Sequence, residues 1–306
     1  MEKDQKKALL YGLTAVLLWS TVASAFKLSL RYFDSSQLLL YASLASCVTL
    51  FVILLIQKKL YLLFSYTKKE YFFLFILGMI SPFMYYLVLF KAYSLLPAQE
   101  AQALNYTWAL TLSYLSVFIL HHKLRKADII AGLLCYLGVI IISTHGNLLS
   151  FSFSNTQGVT LALFSTLLWS LYWLYSTKLK VDPIVGLFIN FIVALPFIFL
   201  WTFLFSDPFT FNPYGLMGAL YIGVFEMGVT FVLWLNAMKL STNASSVANL
   251  IFLSPFISLF FIHFFVGEEI LVSTLVGLGF IILGLLVQQQ GHKMPKVKNQ
   301  LKNIKT

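Results

Sequence analysis

Residues 36–57, SQLLLYASLASCVTLFVILLIQ, form a long run without a single charged side chain. A helix needs about 20 apolar residues to cross the hydrocarbon core of a bilayer. Inside lipid, every backbone group must find its hydrogen-bond partner within the segment, and only a helix provides this for a single run. This stretch therefore predicts a transmembrane helix.

Nine further runs of helical length fill most of the chain. Eight of the ten runs are uncharged, and the other two carry Glu226 near the centre and His263 near one end. The runs are 8–26, 36–57, 71–90, 101–120, 129–144, 156–177, 184–206, 214–238, 240–266 and 270–287. With 306 residues, 59% hydrophobic and only 10% charged, the chain has no length left for a separate soluble domain. We therefore expect an all-α polytopic membrane protein with ten transmembrane helices.

The basic residues lie mostly on one side of these spans. If the N-terminus is cytoplasmic, 18 of the 21 lysines and arginines fall in cytoplasmic segments, and only Lys27, Arg31 and Lys91 fall outside. This bias predicts a multi-pass protein of the cell membrane, inner or plasma, with both termini in the cytoplasm. The formal charge of +10 then reflects topology and attraction to anionic lipid. The expected partner is a lipid bilayer and not nucleic acid, and the oligomeric state is left open.

A short motif repeats in the two halves of the chain. Leu17-Leu18-Trp19-Ser20 recurs 150 residues later as Leu167-Leu168-Trp169-Ser170, each time in the first helix of a set of five. A second offset, of 145 residues, aligns Gly132 with Gly277. We therefore predict one five-helix repeat at 1–145, a second at 156–288, and a basic cytoplasmic tail at 289–306.

The charges of the connections indicate that the two repeats are inverted. Because each half has an odd number of helices, matching loops must lie on opposite sides of the membrane. The loop 121–126 is basic, whereas its counterpart 267–269 is acidic. Two inverted halves are the architecture of many secondary transporters, which open alternately to either side and bind near the midplane. The expected partner at such a site is a small-molecule substrate.

These features together resemble the EamA-type members of the drug/metabolite transporter superfamily. The matching residues are Leu18-Trp19-Ser20-Thr21 in helix 1, Pro255 in helix 9 and the pair Gly267-Glu268 before helix 10. The segment from Glu100 to Trp108 in helix 4 is similar to the branch that includes amino-acid exporters. The resemblance implies efflux of a small metabolite such as an amino acid.

Glu226 is the one acid deep within a predicted span. A carboxylate at this depth costs about 3 kcal/mol on insertion scales, so it needs a partner, a water-filled cavity or a proton. We predict that Glu226 faces the central cavity, where it acts as a proton carrier or as the counter-ion of a substrate ammonium. The alternative is a hydrogen bond between helices that only aids packing.

Aromatic and amide side chains at mid-span are the other candidates for the binding site. Trp and Tyr usually prefer the membrane interface, so their mid-span positions are unusual. They would give a pocket flat apolar walls with polar edges. The predicted cavity residues, in addition to Glu226, are Trp19, Ser20, Asn105, Trp108, Trp169, Tyr172 and Asn249. Tight packing between helices is the competing interpretation for each of them.

Enzyme motifs do not occur in the sequence. The five histidines form no H-E-x-x-H pair, and neither a G-x-S-x-G elbow nor a Walker A loop is present. We therefore expect no enzyme activity, no cofactor and no metal site. The predicted function is a secondary transporter that moves a small metabolite by alternating access, with export as the expected direction and with proton coupling through Glu226. The alternatives are a channel or a non-transporting scaffold, with an intramembrane enzyme as the weakest.

Overall fold

The computed structural model describes residues 3–120, 126–147, 155–242, 247 and 249–302. Among these residues there are helices and short turns and no strand. The helices in chain order are α1 (Gln5–Ser29), α2 (Ser35–Ile56), α3 (Lys68–Gly78), α4 (Tyr85–Leu95), α5 (Ala98–Asn105), α6 (Trp108–Leu120), α7 (Lys126–Ser143), α8 (Thr156–Ser176), α9 (Pro183–Phe205), α10 (Pro213–Tyr221), α11 (Thr230–Leu240), α12 (Ser254–Phe261) and α13 (Val272–Lys302). Within these described ranges, eight helical segments are long and apolar enough to cross a membrane. The protein is therefore an all-α polytopic membrane protein.

The third and eighth predicted spans are both irregular near their centres. The third is kinked at Met79–Met84, between α3 and α4, where Ser81 has an extended backbone (φ −146°, ψ 123°). The eighth contains a π-helical turn, Ile222–Val229, which joins α10 to α11. Such turns often occur at functional sites, and neither irregularity was predicted from the sequence. The 145-residue offset of the repeat aligns Ser81 at the kink with Glu226 in the π-helical turn.

The fourth and ninth predicted spans are broken and shorter. α5 ends at Asn105 and α6 begins at Trp108, while the 3-10 turn Asn249–Leu253 precedes α12. Pro255 lies in the first turn of α12, where its missing N–H costs no hydrogen bond. Whether these two segments bring the number of crossings to ten stays a prediction.

Polar side chains cap the starts of the long helices. The side chains of Asp34, Asn155, Asp182 and Asn212 each accept a hydrogen bond from a backbone N–H in the first turn of α2, α8, α9 and α10. Such a cap satisfies backbone donors that have no partner within the helix. The caps therefore fix the ends of the apolar segments, near the membrane surfaces.

The two halves of the chain are interleaved. α1 packs against α10, α11 and α12 of the second half, and α8 packs in the same way against α4, α5 and α6 of the first. α2 packs against α9, its counterpart. This exchange of partners is the pattern expected of two similar halves related by a two-fold axis.

Small residues allow the last helices of the two halves, α7 and α13, to cross closely. A Cβ atom added to Gly277 would lie 2.6 Å from the carbonyl oxygen of Gly138, and one added to Gly138 would lie 2.4 Å from that of Gly277. Close backbone approach at small residues is a common way for helices to associate in membranes. The glycines therefore serve packing at this crossing.

Candidate functional site

A cavity of about 240 Å³ lies between the two halves of the chain, and we call it the central cavity. Its walls come from α1, α4, α5 and the start of α6 in the first half, and from α8, the π-helical turn 222–229 and α11 in the second. Drug-sized ligands occupy pockets of about 300–1,000 Å³. The central cavity therefore suits a smaller molecule.

Aromatic rings form most of its wall. Five of the six tryptophans in the chain line it, namely Trp19, Trp108, Trp169, Trp173 and Trp234. Trp169 stacks on Tyr85 with ring centroids 4.6 Å apart, and Trp19 lies 5.4 Å from Trp234. Indole faces carry a negative electrostatic potential and attract cations.

Glu226 belongs to the π-helical turn 222–229 and has only 9% of its surface exposed. Its Oε1 atom accepts a hydrogen bond of 3.2 Å from the hydroxyl of Tyr86 in α4. Its Oε2 atom is buried and accepts no well-formed hydrogen bond, although the Trp19 indole is a neighbouring donor. One oxygen of the carboxyl group is thus left for a further partner.

Two glycines bring α2 close to this turn. A Cβ atom on Gly223 would lie 2.3 Å from the carbonyl oxygen of Ala42, and one on Gly228 would lie 2.9 Å from Thr49 Cγ2. The hydroxyl of Ser46 also donates to the carbonyl of Met227 at 3.1 Å. These contacts hold the backbone around Glu226 against α2.

The charge in the cavity is unbalanced. Glu226 is the only carboxyl group in the lining, and no Lys, Arg or His belongs to it within the described chain. Lys27, at the end of α1, donates instead to the carbonyls of Tyr93 and Leu96. The polar uncharged groups of the lining are the amides of Gln102 and Asn105 and the hydroxyls of Tyr85, Tyr93 and Tyr106.

The repeated Trp-Ser motif has the same role in both halves. The Ser20 hydroxyl lies 3.2 Å from that of Ser254, at the start of α12. The Ser170 hydroxyl donates to the carbonyl of Trp108 at 3.0 Å, at the start of α6. Each serine therefore contacts a broken span of the opposite half, while the preceding tryptophan lines the central cavity.

The break between α5 and α6 has further polar contacts with α8. Asn105 Nδ2 donates to Ser165 Oγ at 2.9 Å, and the hydroxyls of Thr111 and Thr166 lie 3.0 Å apart. A broken helix leaves backbone groups without partners in the helix, and neighbouring polar side chains stabilise it at membrane depth.

A second cavity, of about 310 Å³, lies between α3, α8, α9 and α11. Trp173 lines both cavities, and its ring stacks on that of Phe231 with centroids 6.3 Å apart. The second cavity extends to Ser176 and Asp182 at the ends of α8 and α9. An aromatic pair thus stands between the central cavity and a space that reaches one end of the helices.

At that end an ion pair joins the two halves. Lys59 Nζ lies 2.7 Å from Asp182 Oδ2, and the backbone N–H of Asp182 donates to the Tyr66 hydroxyl at 3.1 Å. Partial burial by itself raises the pKa of the Asp182 carboxyl group, but hydrogen bonds from Lys59 and the first backbone amides of α9 outweigh it and hold the pKa below its ordinary value. We call this end the Asp182 face.

The opposite end is held together by hydrogen bonds from Glu268. Its carboxylate accepts from the backbone N–H of Ala98 at 2.7 Å and of Gln99 at 3.3 Å, at the start of α5. The Gln99 side chain in turn donates to the carbonyl of Glu269 at 2.7 Å. Glu268 precedes α13 in the chain, and the structure shows it capping α5, a helix of the other half. We call this end the Glu268 face.

The structure separates the predicted site residues into three groups. Trp19, Asn105, Trp108, Trp169 and Glu226 line the central cavity. Ser20 lies behind the wall, and Tyr172 lines the second cavity, where its hydroxyl and the Asn190 amide lie 3.2 Å apart. The side chain of Asn249 lies outside the described residues. A substrate-binding role for the predicted residues stays a prediction.

Several residues that line the central cavity were not predicted from the sequence. Tyr85, Leu89 and Tyr93 line the central cavity one turn apart along α4, and Trp234 faces it from α11. The four-residue spacing of the α4 residues was visible in the sequence and indicates one helix face. It did not indicate which face meets the cavity. No group of three His, Cys, Asp or Glu placed to hold a metal ion occurs within the described part of the chain.

Known proteins similar to this chain are transporters by name. The model of the EamA-like transporter family matches residues 6–144 and 156–288. An "Uncharacterized transporter in sor 3'region" from Acidianus ambivalens is 29% identical over 219 residues, which are 68% of this chain and 80% of that protein. Uncharacterized transporters from Clostridium kluyveri and Archaeoglobus fulgidus are 26% and 28% identical over 197 residues, covering 61% and 60% of this chain and 61% and 68% of their own lengths.

A solved crystal structure shares the fold. It superimposes with a TM-score of 0.69, covering 95% of this chain and 100% of its own, at 19% sequence identity. The family model spans both halves of the chain and so confirms the resemblance derived from the motifs. The chain belongs to the EamA-like transporter family.

Proposed function

We propose that this protein is a secondary carrier that exports a small amine-bearing metabolite, such as an amino acid, across the cell membrane by alternating access. The observation that carries the proposal is the central cavity, which both halves of the chain enclose around the buried carboxyl group of Glu226. A binding site near the midplane between two similar halves is the arrangement that alternating access requires.

The two ends of the molecule are closed by different contacts, and this difference supports the mechanism. On the Glu268 face, hydrogen bonds of Glu268 and Gln99 cross between the halves. Toward the Asp182 face, the second cavity begins on the other side of the Trp173–Phe231 pair. The Trp173–Phe231 pair and the Glu268 contacts would act as the two gates. They would open in alternation, the first by movement of the aromatic rings and the second by loosening of the hydrogen bonds.

Glu226 is the proposed site of proton coupling. Its carboxyl group is the only one in the described cavity lining, and Oε2 has no well-formed hydrogen bond. A carboxyl group that carries a proton in one state and pairs with a cationic substrate in the other couples the movement of protons to the movement of substrate. The distribution of basic residues further supports cytoplasmic termini, which place the Asp182 face toward the cytoplasm.

A channel or a scaffold explains these features less well. A channel does not need two cavities separated by an aromatic pair, and a scaffold does not need an unpaired carboxyl oxygen at membrane depth. The described cavities therefore favour a carrier over both.

Counterflow in proteoliposomes tests the proposal. Unlabelled solute loaded inside should drive transient accumulation of the same solute, labelled, from outside, because a carrier exchanges its ligand faster than it moves empty. A channel gives simple equilibration, and a scaffold gives neither. If no solute in a broad panel of amino acids, amines and other small metabolites shows counterflow, the carrier assignment is wrong.

A further inference from the structure

Two buried polar atoms at the central cavity lack a well-formed hydrogen bond among the described residues. One is the acceptor Glu226 Oε2, which has the Trp19 indole as a neighbouring donor, and the other is the donor Nε1 of Trp173, a side chain that lines both cavities. Buried polar groups in native proteins are nearly always paired, so each unpaired atom calls for an explanation. A bound ligand that donates to Glu226 and accepts from Trp173 satisfies both.

The surroundings of Glu226 favour a donor that carries positive charge. The lining contains five tryptophans, and indole is the aromatic group that attracts cations most strongly. A carboxylate that is 91% removed from solvent binds a charged N–H donor more tightly than a neutral one.

The same lining disfavours a second charge on the ligand. A zwitterionic amino acid would bring its own carboxylate into the cavity, where the described lining offers no Lys, Arg or His. Lys27 is not part of this lining, and its ammonium group donates to the carbonyls of Tyr93 and Leu96. A buried anion without a cationic partner is strongly disfavoured.

On the basis of the proposed carrier function, we infer that the central cavity selects a small protonated primary amine with an apolar or aromatic body and no carboxylate. The ammonium group binds Glu226 Oε2 among the indole rings. A neutral oxygen on the ligand accepts from Trp173 Nε1. This narrows the amine-bearing substrates proposed above to those without an acid group, and it excludes the amino acids given there as an example.

Three related compounds test the inference on the purified full-length protein in detergent. Tyramine carries the ammonium and a hydroxyl group, tyrosine adds a carboxylate, and tyrosol replaces the ammonium by a neutral hydroxyl. Binding is measured by isothermal calorimetry and by the shift in Tm. Tyramine should bind at least about tenfold more tightly than either relative, the effect of one hydrogen bond to a charged group. Equal or tighter binding of tyrosine or tyrosol overturns the inference.

Two variants with a matched control locate the binding. Glu226→Gln should weaken tyramine binding by at least about tenfold, and Trp173→Phe by about two- to tenfold. Trp201→Phe is the control, because Trp201 is partly exposed and does not line the central cavity. If Glu226→Gln does not fold, the comparison of the three ligands and the binding of tyramine to Trp173→Phe still test the inference. Unchanged tyramine binding in both variants overturns the inference.

The result also separates this inference from the carrier assignment. Binding of none of the three compounds, together with counterflow of another solute, rejects the amine class and leaves the carrier standing. Absence of counterflow with any solute rejects the carrier itself.

Discussion

The hydroxyl of Tyr86, in the first half of the chain, donates a hydrogen bond of 3.2 Å to Oε1 of Glu226, in the second half. This bond joins α4 to the π-helical turn 222–229 at the wall of the central cavity. It leaves Oε2 of the same carboxyl group without a well-formed hydrogen bond. A contact between the halves thus holds the group on which the proposed function depends.

Replacing Glu226 by Gln removes the carboxyl group and keeps the size of the side chain. We expect transport to lose its dependence on an imposed pH gradient, because Gln neither ionises nor carries a proton. The measurement is uptake into proteoliposomes with and without the gradient, and Glu269→Gln, a change at an exposed acid, is the control. Persistent pH-dependent transport in Glu226→Gln contradicts proton coupling through this residue.

The Tyr86–Glu226 hydrogen bond should appear as a coupling energy. In a double-mutant cycle of Tyr86→Phe and Glu226→Met, which removes the acceptor oxygen, we expect an interaction free energy of about 0.5–1.5 kcal/mol in unfolding, the range for hydrogen bonds between membrane helices. Tyr41→Phe provides the control cycle, because the Tyr41 hydroxyl donates to the carbonyls of Pro208 and Thr210 instead. Additive effects of Tyr86→Phe and Glu226→Met would show that the bond is not formed.

Gly277→Ala should destabilise the crossing of α7 and α13. The added methyl group would lie 2.5 Å from Ile142 Cγ1 and 2.6 Å from the Gly138 carbonyl oxygen, so the helices must move apart. We expect a loss of about 1–3 kcal/mol in the free energy of unfolding. Gly279→Ala, in the same helix, meets no atom within 4 Å and should be neutral or slightly stabilising. Denaturant unfolding in detergent micelles compares the two, and equal effects contradict the packing role.

Glu268→Ala should loosen the start of α5. The change removes the acceptor for the backbone N–H groups of Ala98 and Gln99. Loss of such a cap costs about 0.5–2 kcal/mol, and amide hydrogen exchange at these two residues should become faster. Glu269→Ala is the matched control, because only its backbone carbonyl bonds to Gln99. Unchanged exchange in Glu268→Ala would show that the cap is not formed.

The Lys59–Asp182 ion pair predicts a pH dependence of stability. The folded state lowers the pKa of Asp182 below its ordinary value of 3.8. Its contribution is therefore complete at neutral pH and is lost as the pH falls through the lowered pKa. We expect Lys59→Gln to cost about 1 kcal/mol at pH 7, and we expect its difference from the wild type to shrink as the pH falls below the ordinary pKa of 3.8. Unfolding measured from pH 7 downward through this range checks this, with the exposed neighbour Lys58→Gln as control.

Glu226 illustrates which part of the candidate site could be predicted from the sequence. It is conspicuous in the sequence because it alone interrupts an apolar span near its centre, and it does line the central cavity. Its partner Tyr86 could not be predicted, since tyrosine is common throughout the chain and nothing marks one of them as a neighbour. The π-helical turn around Glu226 could not be predicted either, because it depends on the packing of α10 and of the turn itself against α2.

Tyr172 shows why helix faces were harder to predict than helices. The sequence places it beside Trp169 in α8, but the rotation of α8 directs it to the second cavity. In soluble proteins the apolar stripe of a helix indicates its buried face. Here the helices are apolar on every side, because lipid is as apolar as the protein interior. The pattern of apolar residues therefore does not distinguish the buried face of a helix from its lipid-facing face.

The sequence by itself determined that the chain crosses the membrane many times as helices, because each apolar run must satisfy its own backbone in lipid. It also predicted that the two halves are repeats, because Leu-Leu-Trp-Ser occurs in both. Only the tertiary structure decided which side chains surround Glu226, and that Glu268 caps a helix of the other half. These contacts join residues 140 and 170 positions apart, and they depend on the rotation and close approach of helices, which packing alone fixes.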